Sequence, residues 1–247
     1  MNVNFRIIQI GALSGISAVV LAANADAQPT ETASDVATNA NATYDDDGLD
    51  GREFFLNVTN PSSEFREFSV IDFPTASLFS DTVTGVTALQ LELVDTDPSF
   101  ASDGPFDVYL ASDNTGSPID NTLSYDATAA SVNGGVGTQF GTLTPLAVDL
   151  TYDDDTGLPE DEYSLVLTPT LSTQLAAIIN AGEDIRLVLS DNDPNSGLNA
   201  AWAGRTNNDD SNGPELDITA TLVPEPASLA LLGAGGLLLV GRRRRAA

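Results

Sequence analysis

The chain has 247 residues, of which 36 are Asp or Glu and nine are basic, giving a formal charge of −27. A chain of this length can bury a full core without staples, and it has no cysteine and no histidine, which excludes thiolate zinc sites, disulfide frameworks, Ser-His-Asp or Cys-His catalysis and histidine-ligated metals. All nine basic residues are arginines and five lie at the two ends (Arg6, Arg242, Arg243, Arg244 and Arg245), so the middle offers phosphate no basic face and nucleic acid is excluded as a partner.

The first 27 residues carry Arg6, an apolar run from Ile7 to Ala23, and then Ala25-Asp26-Ala27. These are the three regions of a secretory signal peptide over 1–27, with cleavage expected between Ala27 and Gln28. Residues 28–50 are mostly Thr, Ala, Asn, Asp and Ser. With so little apolar surface to offset ordering, a flexible acidic arm is expected there.

From Arg52 onward β-formers arrive. Phe54 to Val58 and Phe65 to Phe73 read as two early strands. Val86 to Val94 alternates, with Leu89, Leu91 and Leu93 on one face and Gln90 and Glu92 on the other, the period-two pattern of a half-buried strand. Phe106 to Leu110, Leu146 to Tyr152, Tyr163 to Leu167, Ile185 to Leu189 and Leu216 to Leu222 continue the series. One helix interrupts it, with Ser172 as N-cap, Leu175, Ile178 and Ile179 on one face and Gly182 as the residue past its end. Short strands separated by Gly, Pro, Asp and Asn predict a mainly β domain over 51–222, an antiparallel β-sandwich of jelly-roll kind with one short helix.

The C-terminus, 223–247, reads differently. Pro224-Glu225-Pro226 is followed by the uncharged stretch 227–241 and then by Arg242 to Arg245. Fifteen helical residues rise roughly 22 Å, a marginal transmembrane helix, and the arginines behind it hold the tail on the cytoplasmic side. Pro-Glu-Pro, the Ala- and Leu-rich run with Gly233, Gly235 and Gly236, and the Arg block together resemble the PEP-CTERM sorting signal of exported bacterial proteins. That resemblance implies an exosortase-type processing enzyme as partner, transient residence in the inner membrane, and delivery to the cell surface or an extracellular polysaccharide matrix. A second resemblance, carried by Phe68 to Phe73, Val83 to Leu89, Ile185 to Leu189, Ala201 to Arg205 and Gly213 to Leu216, is to DNRLRE-type and carbohydrate-binding-like β-sandwich modules, and implies fold more than activity.

Setting aside Asp26 and Glu225 among the acids, and Arg6 with the four terminal arginines among the bases, leaves 34 acids against four arginines in the middle. Such a polyanion stays soluble and attracts divalent cations. Asp153 with Asp155, and Asp191 with Asp193, are the best calcium candidates, because alternating carboxylates in Asn- and Gly-bearing loops supply oxygen ligands. Neither matches a full calcium-loop motif, and the alternative is solvated turn acids on a highly charged surface. Trp202, with Arg205 beside it, is a glycan-stacking candidate if exposed and a core anchor if its alanine neighbours mark a buried strand. Arg186 should pair with an acid across the sheet. No catalytic residue is assigned. The expected function is a non-enzymatic surface or matrix protein; the alternatives are a calcium-dependent carbohydrate-binding module and, with less behind it, a glycoside hydrolase using paired carboxylates.

Overall fold

The computed structural model describes residues 30–36, 40–45, 47–52, 54–96, 100–115, 122–153, 161–206 and 213–223. The signal-peptide and sorting-signal expectations, on 1–27, Gln28 and 224–247, fall outside these residues. Among the described residues no helix is long and apolar enough to cross a membrane.

The strands are β1 (Thr30–Val36), β2 (Ala40–Asp45), β3 (Gly48–Arg52), β4 (Phe55–Thr59), β5 (Phe68–Phe73), β6 (Thr82–Leu93), β7 (Gly104–Ala111), β8 (Leu143–Tyr152), β9 (Asp161–Ser164), β10 (Ile185–Ser190), β11 (Asn199–Ala203) and β12 (Glu215–Val223). The helices are α1 (Ala130–Asn133) and α2 (Pro169–Ala181). Sheet A has the order β1-β12-β6-β9, sheet B the order β3-β2-β5-β10-β7-β8, and β11 pairs with β4 in a short third sheet. Every pairing is antiparallel, so the mainly β, antiparallel expectation holds.

Sheet A shows the predicted alternation. In β6 Leu89, Leu91 and Leu93 are buried and Gln90 and Glu92 half-exposed; in β12 Leu216, Ile218, Ala220 and Leu222 are buried between half-exposed neighbours. These residues meet Ile71, Phe73, Phe106, Val108, Leu110, Leu187 and Leu189 of sheet B in the main core. The helix α2 adds Leu171, Leu175, Ala176 and Ile179 to it. It begins earlier than the sequence suggests: Thr168, not Ser172, is the N-cap, its Oγ1 accepting the Leu171 N–H at 3.2 Å, with Pro169 preorganised in the first turn. Gly182 ends it as expected, at φ +67°.

The acidic arm of 28–50 is a correction. β1 pairs with β12 from Thr30↔Thr221 to Val36↔Glu215, β2 pairs with β5, and Ala42 and Tyr44 are fully buried. Local composition misses their order because it comes from pairing with β12 and β5.

Sheet B is buried on both faces. Its second face carries Ala42, Tyr44, Phe68, Val70, Tyr109, Ala111 and Val188, covered by Tyr125, Val136 and Phe140 from the segment 122–142. That segment is anchored by backbone bonds from Tyr125 N to Asp45 O (2.7 Å) and from Asp113 N to Phe140 O (3.1 Å). Its tightest point is Gly135, at φ +82°, where a Cβ would lie 2.2 Å from the Tyr125 ring.

On this covered face Arg186 of β10 sits directly opposite Asp72 of β5. The guanidinium donates to both carboxylate oxygens, Nε to Oδ1 and Nη2 to Oδ2, each at 2.7 Å. Its Nη1 donates to the carbonyls of Asp113 (3.2 Å) and Thr115 (3.4 Å), and its Cζ lies over the Phe140 ring, 5.5 Å from the centroid. Burial pushes the Asp72 carboxyl above its ordinary range, and the Arg186 hydrogen bond and charge pull the other way.

A further polar seam joins β4 to sheet B. Thr43 Oγ1 donates to Phe55 O (3.3 Å) and accepts from Asn57 N (3.1 Å), while Ser69 Oγ donates to Asn57 O (2.8 Å). These side chains occupy the free edge of β4, so its backbone groups are satisfied without a strand partner on that side. On the opposite flank, Leu165 N bonds Leu89 O of sheet A and Val166 N bonds Leu146 O of sheet B, tying the two sheets together.

Two outcomes follow for stability. Gly135→Ala should lose about 2–4 kcal/mol in urea titration, since the new methyl collides with Tyr125 at a backbone angle disfavoured for alanine. Arg186→Met or Asp72→Leu alone should lose about 3–5 kcal/mol by leaving a buried charge unpaired, and the double variant should recover most of that loss.

Candidate functional site

The acidic loops resolve into turns. Asp45 Oδ1 accepts the Asp47 N–H (2.8 Å), Asp113 Oδ1 accepts the Thr115 N–H (3.1 Å) and hydroxyl (2.7 Å), and Asp126 Oδ1 accepts the Thr128 N–H (2.9 Å) and hydroxyl (2.6 Å). In each case the carboxylate bonds the chain two residues on, the side-chain mimic of a backbone turn. The donors stabilise the ionised form and hold the Asp113 and Asp126 carboxyls below their usual range.

Asp191 and Asp193, expected together as calcium ligands, follow the same pattern. Asp191 Oδ1 accepts the Asp193 N–H (2.8 Å), and Asp193 Oδ1 accepts the Asn195 N–H (2.9 Å). The other Asp191 oxygen takes the Ser196 hydroxyl. Asp193 is exposed, but Asp191 is 3% exposed at the end of β10. Burial raises its carboxyl from an ordinary 3.8 to about 6; the Ser196 hydroxyl and Asp193 N–H oppose the rise, and the charges of Asp193 and Asp107 add to it. Across the ladder Asp107, also buried, accepts the Tyr109 hydroxyl (2.9 Å) and the Asp149 N–H (3.0 Å). Asp149 holds φ +55°, an angle that Asp tolerates better than most residues.

Asp153 is exposed just past β8, and Asp155 lies outside the described residues. The structure places Asp153 near Asp161 and Asp95 rather than in the Asp191 neighbourhood. Burial raises the Asp161 carboxyl; the hydrogen bond from Tyr163 and the nearby Trp202 indole oppose this, and the charges of Asp95 and Asp153 reinforce it. Tyr152 donates to Asp95 at 2.7 Å and Tyr163 to Asp161 at 2.9 Å. Among the described residues no group of three or more Asp or Glu is arranged to hold a metal ion.

Of its two alternatives, Trp202 takes the core anchor and not the glycan contact. It lies in β11 with no exposed surface, packed against Phe106 (ring centroids 5.0 Å apart) and edge-on to Tyr152 (5.1 Å). Its indole N–H faces Asp161 and Tyr163 without reaching full hydrogen-bond geometry with either. Arg205 is half-buried beyond the strand, where its backbone N–H donates to Asn41 Oδ1 at 3.0 Å. The large exposed aromatics among the described residues are Phe54, Phe65 and Phe100. Phe65 and Phe100 present their carbonyls to Thr59 and Asn199, which are paired on one rung of the β4–β11 ladder. The sequence places Phe65 in a strand; its exposure comes from the turn between β4 and β5, which periodicity does not reveal.

A cavity of about 410 Å³ opens between the turn before β6 and the C-terminal end of α2, lined by Thr75, Ser77, Ser80, Asp81, Thr82 and Asn180 among others. Asp81 is its one carboxylate.

The cavity lies beside the end of β12, since Thr82, which lines it, pairs with Val223. β12 pairs with β6 down to Val223↔Thr82, and the next residues are Pro224-Glu225-Pro226, so no spacer separates the folded strand from the apolar and arginine-bearing tail. Residues 222–245 match the family described as the PEP-CTERM protein-sorting motif. The chain carries a PEP-CTERM sorting motif. No curated protein matches the chain. The PEP-CTERM motif makes the protein a target of an exosortase-type sorting system and implies export to a cell-surface or extracellular location.

The raised Asp191 carboxyl sets a pH dependence. Because its folded value, about 6, lies above its ordinary 3.8, the group's contribution to stability is fully present below about pH 4 and is lost as pH rises through 6. Asp191→Asn keeps the oxygen that accepts the Asp193 N–H and removes the charge. Its melting temperature relative to wild type should therefore rise between pH 4 and pH 7, and a parallel pair of curves would refute the assignment.

Proposed function

We propose that this protein is a non-catalytic surface or matrix protein: an acidic β-sandwich exported by its N-terminal signal, held briefly at the inner membrane by the segment 227–241, and processed there through its PEP-CTERM motif. The observation that carries this reading is the match at 222–245 directly abutting the last strand. The absence of a spacer makes the sandwich itself the cargo of the sorting signal. Its chemistry fits a passive role, since the carboxylates of Asp113, Asp126, Asp191 and Asp193 are engaged by turn donors, and the cavity near Thr82 offers a single carboxylate where glycoside hydrolysis generally needs two. The carbohydrate-binding alternative loses Trp202 as its stacking platform. An extracellular polysaccharide layer remains the proposed destination, with the anionic surface of the domain favouring solubility within it.

The test is the mass of the mature product. In a host with an active exosortase, intact-mass spectrometry of the exported protein should show a chain that starts at Gln28 and has lost Arg242 to Arg245; deleting the exosortase should leave the arginines in place and the protein in the membrane fraction. A released product that keeps its arginine tail, unchanged by the deletion, would overturn the proposal.

A further inference from the structure

The junction between β12 and the PEP-CTERM motif fixes more than the cargo. Pro224 has no N–H to give a sheet ladder and biases Val223 to an extended backbone, and Val223↔Thr82 is the last described pair of β12 with β6. From Val223 to Ala227, the first residue of the uncharged segment, the chain spans at most about 13 Å when fully extended. The headgroup zone of one leaflet takes up roughly 5–7 Å of that reach. While the tail is anchored, the Val223 end of sheet A therefore stays within about 9 Å of the headgroup surface.

The outer face of sheet A is chemically polarised along the same axis. Near Val223 it presents Thr82, Thr84 and Thr87 from β6, Thr219 and Thr221 from β12, and Thr32 from β1, all exposed or half-exposed. Thr84 Oγ1 donates to Thr221 O (2.9 Å) and Thr87 Oγ1 to Thr219 O (3.1 Å), which fixes the β6 hydroxyls on this face. Register shifts at Thr219/Ala220 and Thr221/Leu222 let Thr84 and Thr87 both face outward. At the other end of the face, Asp217 lies opposite Gln90, and Glu215 opposite Glu92, which in turn faces Glu162. Among the described residues, the acids next to these threonines in sequence are Glu31, exposed and opposite Ala220, and Asp81, half-buried in the bend before β6.

In a domain with 34 acids this separation matters, because charges within about 8 Å of an anionic bilayer feel its repulsion at physiological salt. Threonine hydroxyls approach phosphate and glycerol oxygens without that penalty. We infer that the threonine end of the outer face of sheet A is the domain's membrane-contact surface, resting on phospholipid headgroups while the C-terminal segment is anchored. This rests on the anchoring step of the function proposed above.

The chain has no cysteine, so a single introduced thiol reports from one place. The full chain carrying T84C, T87C or E162C, labelled with a fluorophore, is bound to vesicles of phosphatidylethanolamine and phosphatidylglycerol with a quencher on the headgroup. Flotation measures anchoring and quenching measures contact. The T84C label should lose most of its fluorescence, T87C should lose less, and E162C should keep nearly all. A chain that floats with equal quenching at all three positions, or with none, overturns the contact surface and leaves anchoring intact. A chain that does not float overturns the anchoring step and the contact surface with it.

Discussion

Burial of sheet B on both faces is the constraint on which the rest of the architecture depends. One face meets sheet A across the main core, and the other would expose Tyr44, Phe68, Val70 and Val188 if the segment 122–142 did not lie over it. Burial on that second side takes Arg186 and Asp72 out of water, and their bidentate pairing is the condition under which two charges can remain there. Gly135 has no room for a side chain because the covering segment folds back onto its own Tyr125, which packs against the sheet. The polar side chains of Asn41, Thr43 and Ser69 meet the same demand on the inner side, by bonding the edge of β4 instead of being left without partners.

The acids divide by burial. At the surface, Asp45, Asp113, Asp126 and Asp193 spend their oxygens on the chain two residues ahead, which shapes the loops and leaves fewer lone pairs for a cation. Inside, Asp107, Asp191 and Asp161 answer to hydroxyl or amide donors, and burial pushes the last two toward the neutral form.

The elements that were legible in the sequence are those whose burial is one-sided. β6 and β12 alternate because one face is wet, and α2 shows its stripe and its Gly182 stop for the same reason. β5 and β10, buried throughout, still read as strands from their β-branched and aromatic residues. β1 to β3 were not legible, because Thr, Asn, Asp and Gly dominate them and they become strands through partners far away in sequence. The burial of Trp202 was half legible, from its alanine neighbours; the exposure of Phe65 and Phe100 depends on turns whose geometry no periodicity encodes. The sorting motif was legible in full because it is a linear chemical signal that owes nothing to tertiary packing.

β1 and β12 lie side by side with Thr30 opposite Thr221, so the chain enters and leaves the described domain at one corner. That arrangement decides how the domain bears mechanical load. A pull between its two ends is directed across the strands instead of along them, so the rungs of the β1–β12 ladder would open one after another, like a zipper, and never share the force. Under such a pull the first strand to be peeled away is the edge strand β1, with the β12–β6 pairing behind it still in place.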